Sequence, residues 1–193
     1  MHDIEPYHLW RDQYIASEDQ HSPFFGTEYD EFHFTNTIYN YYIHPQWDDF
    51  GSTTLYLKVL YVNYEQGVCI IELIGEWNDC LQNDIMHLKR NVIEPLEEKG
   101  ITKYILIGDN VLNFHGSDNC YYEEWYEDII DSDGWICFIN MLDHVVLEME
   151  DVQIHHFVHL SKFFHLPDWR TLSPKSLFKK IEMGIAKKPL ALL

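Results

Sequence analysis

The segment Val68-Cys69-Ile70-Ile71-Glu72-Leu73-Ile74-Gly75-Glu76-Trp77-Asn78-Asp79, a helical stretch, and then Lys103-Tyr104-Ile105-Leu106-Ile107-Gly108-Asp109-Asn110-Val111-Leu112-Asn113-Phe114-His115-Gly116-Ser117-Asp118 decide the fold class. They read as strand, helix, strand and polar loop, a unit that demands a parallel pair and a crossover helix. Both strands are almost wholly apolar and end in similar words, Leu73-Ile74-Gly75-Glu76 and Leu106-Ile107-Gly108-Asp109. In an open α/β sheet the carboxyl ends of parallel strands are where ligands meet polar loops. The expected strands are therefore 68–74 and 103–107, with a site at their carboxyl rim.

Outward from this unit, Thr53 to Val62 alternates, with Leu55, Leu57, Val59 and Tyr61 on one face, and a connector at 63–67 makes it the antiparallel partner of strand 68–74. Asp79 with Gln82 resembles a capping box. Leu81, Ile85, Leu88, Val92 and Leu96 keep helical spacing over 79–99, with Pro95 disturbing the last turn and Gly100 ending it. Tyr122, Trp125, Tyr126, Ile129 and Ile130 mark a second helix, 135–139 a strand, Leu142, Val145, Val146 and Met149 a third helix, and 153–159 a last strand. After Pro174 comes a basic amphipathic helix over 176–186, in which Leu177, Phe178, Ile181 and Ile185 oppose Lys179 and Lys180. The order ββαβαβαβ plus a helix reads as a mixed α/β sheet with helical crossovers. Three parts follow: an aromatic-rich N-terminal extension at 1–52, the α/β core at 53–160, and a basic C-terminal segment at 161–193.

Composition limits the function classes. The 193 residues suit one packed domain, and the N-terminal words have neither the basic nor the apolar region of a secretory signal, so a cytoplasmic address is expected. A formal net charge of -19 opposes nucleic-acid binding, and no apolar run approaches a membrane span. The charge is uneven: after residue 161 seven basic residues face only Asp168 and Glu182, leaving +5 there and -24 before it. The basic helix is expected to dock on its own acidic body or on a neighbouring subunit rather than on a membrane. Cys69, Cys80, Cys120 and Cys137 stand singly, without the spacing of a zinc ribbon or disulfide framework.

The two quoted strands and their loops resemble the STAS domain, the fold of bacterial anti-anti-sigma factors and of the cytoplasmic tails of sulfate transporters. In that family one strand ends in a G-x-L-type turn, matched here by Ile71-Glu72-Leu73-Ile74-Gly75-Glu76-Trp77, and a later strand runs through V-x-F-x-D-S-S-G into the next helix, matched by 105–118. The resemblance spans roughly 53–160, and the full chain also looks like a bacterial protein family without a named role. It implies a non-catalytic binding or regulatory protein, acting on a protein partner or a small ligand. His115-Gly116-Ser117-Asp118 stands where the family carries D-S-S-G, which makes Ser117 the matching phosphoacceptor; Asp118, Asp109 and Glu123 would surround its phosphate with negative charge.

The candidate ligand or partner rim is Glu76, Asp79, Asp109, Asn110, Asn113, His115 and Ser117. These carboxylate, amide and imidazole groups follow two neighbouring strands, and Asp109, Asn113, His115 and Ser117 are expected to lie together. No catalytic residue, metal ligand or cofactor is assigned. The competing readings are a metal-assisted hydrolase using Asp109, His115 and Glu76, and a structural homodimer exchanging its aromatic N-terminus. Asp79, Asn110 and Asn113 also serve as ordinary capping and turn residues. Cys80, placed in the first turn of a helix, is either a nucleophile with His115 or His144 as base, or a buried packing thiol. His155, His156 and His159 offer at most two zinc ligands on one strand face.

Overall fold

A computed structural model of the chain describes residues 4–30, 32–160, 162–188 and 190. A two-residue ribbon, β1 (Thr37–Ile38) and β2 (Tyr41–Tyr42), precedes the main sheet. That sheet contains β3 (Leu55–Asn63), β4 (Val68–Asn78), β5 (Lys103–His115), β6 (Trp135–Ile139) and β7 (His159–Leu160), in the order β3-β4-β5-β6-β7. β3 and β4 pair antiparallel, and the other three pairings are parallel. The crossover helices are α1 (Asp84–Leu88) with α2 (Glu94–Glu97), then α3 (Cys120–Ile130) and α4 (Asp143–Asp151); α5 (Pro174–Lys187) follows the sheet. The chain is thus an α/β protein with a mixed five-stranded sheet.

The spatial order never reverses, so successive crossovers of one hand place every crossover helix on the same side. Ile85, Leu88, Val92, Leu96, Tyr122, Trp125, Ile129, Val145 and Met149 form one cluster with Leu57, Ile71, Leu106 and Phe138 of the strands. The opposite face would be bare without the chain's two ends. Leu177, Phe178 and Ile181 of α5, with Trp169 and Trp10, cover Val68, Ile70, Ile105, Ile107 and Ile139 there. Ile38, Ile43 and Trp47 of the N-terminal extension cover Tyr56 and Ile74. The basic helix therefore docks on its own body through its apolar stripe, opened by Ser173, whose hydroxyl accepts from the Ser176 N–H.

Several elements depart from the sequence reading for local reasons. Tyr61 turns to the terminal-segment face, because the β3–β4 register slips between Val59 and Tyr61 and a bulge reverses every later side chain. The first helix begins at Asp84, not at Asp79; residues 79–82 form a turn, Asn83 takes a left-handed conformation at φ 54°, and Leu81 is left 82% exposed. Helical structure runs on through Pro95, since a π-turn over Lys89–Ile93 comes just before it. Such a widened turn relaxes the ladder that a proline would otherwise clash with. Ile130 and Leu142 lie outside their expected inner stripes, at 40% and 37% exposure. The expected strand 153–159 is mostly a 3₁₀ turn, Ile154–His156, entered through Gln153 at φ 64°, and only His159 and Leu160 join the sheet.

Candidate functional site

β4 and β5 do not stop at Gly75 and Gly108. They stay paired to Asn78 and His115, so the words that look like strand ends are mid-strand. Glu72 faces Ile107, Ile74 faces Asn110 and Glu76 faces Asn113, so β5 twice supplies one residue more than β4. Each extra residue is a bulge that shifts the alternation. Leu106, Val111 and Phe114 consequently all reach the helix-side core despite their odd spacing. Gly75 is required, since it sits at φ 125° and a Cβ there would lie 2.1 Å from the Thr54 carbonyl oxygen, while a Cβ on Gly108 would meet Met141 Sδ at 1.8 Å and displace that side chain. Met141, two residues past the end of β6, packs against β5 where that strand runs on without β6 beside it.

The true carboxyl rim is therefore the end of β5. His115 Nε2 lies 3.0 Å from Glu76 Oε1, and Asn113 Nδ2 donates to the Tyr39 hydroxyl at 2.7 Å. Asn110 is one step inward, half-buried beside Ile74 and Ile43 in a small apolar recess. Ser117 is exposed in the loop leading to α3. Glu76, Asn113, His115 and Tyr39 thus form one group, with Asn110 and Ser117 at its borders.

Asp79 and Asp109 do not belong to it. Asp79 is buried beneath the rim, where it accepts from Trp77 Nε1 at 2.9 Å, the Ile85 N–H at 2.9 Å and the Tyr122 hydroxyl at 2.8 Å. Burial pushes its pKa up to about 6 against those three donors. It anchors the helix start to α3, so its role is structural. Asp109 accepts instead from Trp169 Nε1 at 2.8 Å and from Arg170 Nη1 at 2.5 Å. Arg170 Nη2 also reaches the fully buried Glu72 at 2.9 Å, and the Tyr7 N–H donates to the other Glu72 oxygen at 2.7 Å. Burial raises the Glu72 pKa to about 7, with the Tyr7 and Arg170 contacts pulling the other way. The expected grouping of Asp109 with Asn113, His115 and Ser117 fails because the C-terminal segment claims Asp109.

Glu72, Arg170, Tyr7 and Tyr39 escaped the sequence reading. Glu72 did leave a signal, a lone carboxylate in a strand buried on both faces, which requires a charged or multiply donating partner. Nothing in the order of residues names that partner as Arg170, 98 positions away.

The other expected chemistry is dispersed. Cys80 is exposed in the turn before α1, its thiol donating to the Gly116 carbonyl, so it neither starts a helix nor packs under the sheet. His144 Nε2 sits 2.8 Å from the Leu112 carbonyl oxygen instead of a thiol. His155 and His156 have ring centroids 4.2 Å apart on the 3₁₀ turn, while His159 is buried on β7, where burial lowers its pKa to about 4. Among the described residues no three His, Cys, Asp or Glu side chains are placed to share a metal ion.

Around the corner from the rim, the carboxyl ends of β6 and β7 open into a crevice of about 570 Å³. Phe138, Met141, Leu142 and Leu160 give it an apolar floor; Asp143, Lys162 and His165 stand at its mouth. Asn140, at φ 56°, spends its amide on the Leu166 backbone in both directions, at 2.6 and 3.0 Å. Lys162 and Asp143 pair at 3.1 Å, both well exposed. No helix among the described residues is long and apolar enough to cross a membrane. Compared with models of known protein families and with curated protein sequences, the chain matches none, so its function must be argued from its own geometry.

Proposed function

We propose that the protein is a non-catalytic binding module of STAS-like type that recognises another protein through the end of β5. One observation carries this reading: the rim exposes apolar side chains around polar groups that are already paired. Leu81, in the turn after β4, is 82% exposed and Leu112, on β5 itself, 42%, while His115 pairs with Glu76 and His144 meets the Leu112 carbonyl. A rim built for turnover holds polar groups free and converging on a reacting atom; here Glu76 is taken by His115 and Asn113 by the Tyr39 hydroxyl. A few exposed apolar residues inside a polar border match the anatomy of a protein contact. The crossover order and the exposed Ser117 loop entering α3 support the STAS-like part, with Ser117 the residue through which a partner would sense phosphorylation. The hydrolase alternative is weaker, since Arg170 and Trp169 hold Asp109 away from His115 and Glu76.

The test is chemical crosslinking in a lysate of the source cells, with wild type, Leu81→Glu/Leu112→Glu, and Met183→Glu, whose site on α5 is 61% exposed and lies across the sheet. The expected result is a crosslinked protein shared by wild type and Met183→Glu and lost from the rim variant, with purified wild type monomeric in sedimentation velocity. Identical crosslinks in all three would refute the rim as the contact. A wild-type dimer broken only by the rim variant would assign the surface to a second copy of the chain. Thermal stabilisation by Mg²⁺, Mn²⁺, Ca²⁺ or Zn²⁺ that vanishes in Asp109→Asn/His115→Ala would favour the hydrolase.

A further inference from the structure

The first 88 residues contain fifteen Asp or Glu and only two Lys or Arg, Arg11 and Lys58. Both stand in the wall of a single, partly open cavity of about 180 Å³ between the N-terminal segment and β3, on the face opposite the crossover helices. In so acidic a region the cations are expected to scatter among carboxylates. Asp48 pairs with Lys58, whereas Arg11 faces the same space without an ion pair among the described residues.

Their hydrogen-bonding capacity is largely unspent. Lys58 is only 9% exposed, with Nζ 3.7 Å from the centroid of the Tyr29 ring and 3.1 Å from Asp48 Oδ2. That contact with Asp48 is the one ion pair of Nζ among the described residues. An ammonium has three donors to place. Asp48 turns its other oxygen to the Tyr29 hydroxyl, at 2.5 Å. Arg11 uses one guanidinium N–H on Gln46 Oε1, at 3.2 Å, out of five. Burial, and in smaller measure the Arg11 charge, lowers the Lys58 pKa against the pull of Asp48.

The charge balance and the lining define the ligand. Lys58 and Asp48 cancel, leaving the single charge of Arg11, so one monoanion would bring the site to neutrality and a dianion would overshoot. Trp10 and Tyr14 line the same cavity and give it an aromatic wall, suited to an apolar body. At roughly 30 Å³ per liquid water molecule, the space fits one small ring or a short chain. We propose that this cavity binds a small organic monocarboxylate, its acid group between Lys58 Nζ and the Arg11 guanidinium and its apolar body against Trp10 and Tyr14. The site is separate from the β5 rim and does not depend on the function proposed there.

Isothermal titration calorimetry of the full chain with benzoate, butyrate and inorganic phosphate tests it, using wild type, Arg11→Ala, Arg11→Lys and Lys58→Met, each first checked by thermal unfolding. One carboxylate or both should bind saturably at one site; Arg11→Ala should weaken that binding at least tenfold, Arg11→Lys less, and Lys58→Met should abolish it. Since Lys58→Met also strips Asp48 of its counter-charge, the exposed Arg11 decides the outcome. No saturable heat with either carboxylate, or an affinity in Arg11→Ala within twofold of wild type, would overturn the proposal. Binding of phosphate alone, lost in Arg11→Ala, would overturn the carboxylate assignment in favour of an inorganic-anion site. The Leu81→Glu/Leu112→Glu rim variant should bind benzoate as wild type does, so that failure of one site is distinguishable from failure of the other.

Discussion

On the helix-bearing face the inward strand residues are apolar, from Leu55 and Leu57 to Phe138, whereas the face beneath the two terminal segments sets Lys58, Glu72 and Asp109 among its isoleucines. Crossover helices are tethered at both ends to neighbouring strands, so an apolar stripe is enough to seat them. The terminal segments have no such tether. The N-terminal extension is held in place by the Tyr7 N–H on Glu72, and the C-terminal segment by Arg170 on Glu72 and Asp109 and by Trp169 on Asp109. Hydrogen bonds are directional and apolar burial is not, so these contacts define where along the sheet each segment lies. Even the buried charge of the helix face serves a tether: Lys89, fully buried, reaches Glu97 at 3.0 Å and Asp128 at 2.7 Å, joining the first helical unit to α3.

The largest effect should come from the apolar face. Leu88 is fully buried in the helix-side cluster, and Leu88→Ala should cost about 2–5 kcal/mol in urea unfolding through lost burial and the cavity left behind. A cost within about 0.5 kcal/mol would mean that this face is loosely packed and that the contrast between the faces is false.

The charged face should reveal itself by pH. Glu72 has its pKa raised from 4.5 to about 7 in the folded protein. It therefore binds protons more tightly folded than unfolded. Its contribution is fully present below pH 4.5 and is lost as pH rises toward 7. Asp79, raised from 3.8 to about 6, acts in the same direction over a lower window. In Glu72→Gln the Glu72 part disappears, while the amide oxygen still accepts from Arg170 or Tyr7. The stability of Glu72→Gln minus that of wild type should accordingly rise between pH 4.5 and 7 and flatten above it. Denaturant melts at half-unit pH intervals measure this difference, and a curve flat across the window would show that Glu72 is ionised at all these pH values and fully compensated by Arg170.

The same contrast explains what the sequence disclosed. The strand–helix alternation, the antiparallel start and the inner stripes at Leu88, Tyr122, Trp125, Val145 and Leu177 were legible because period-2 and period-3.6 patterns record burial directly. The extension of β4 and β5 was not, because Gly75 and Gly108 look like turn residues and instead sit in close contact with Thr54 and Met141, far away in sequence. The bulges in β5 hid Val111 and Phe114 for a related reason, since alternation fails wherever a strand carries an extra residue. Asp109 was misplaced because its partners, Trp169 and Arg170, come from a segment with no period to read. Of the candidate rim, Glu76, Asn113 and His115 were legible as neighbours, and Tyr39 was not.

The smallest effect tests the boundary between packing and surface. Helical spacing assigns Leu81 to the same stripe as Leu88, yet the turn over 79–82 and the left-handed Asn83 leave it 82% exposed. A residue so exposed has little apolar surface to lose on substitution, so Leu81→Ser should change stability by no more than about 0.5 kcal/mol. The matched pair Leu88→Ala and Leu81→Ser, measured in the same urea series, places the helix start in solution. A loss of about 1.5 kcal/mol or more for Leu81→Ser would return Leu81 to the inner stripe, move the helix start back to Asp79, and remove the most exposed leucine from the proposed rim. An unchanged stability together with lost crosslinking in Leu81→Glu/Leu112→Glu would separate the two uses of leucine in this chain, one for holding the sheet and one for meeting a partner.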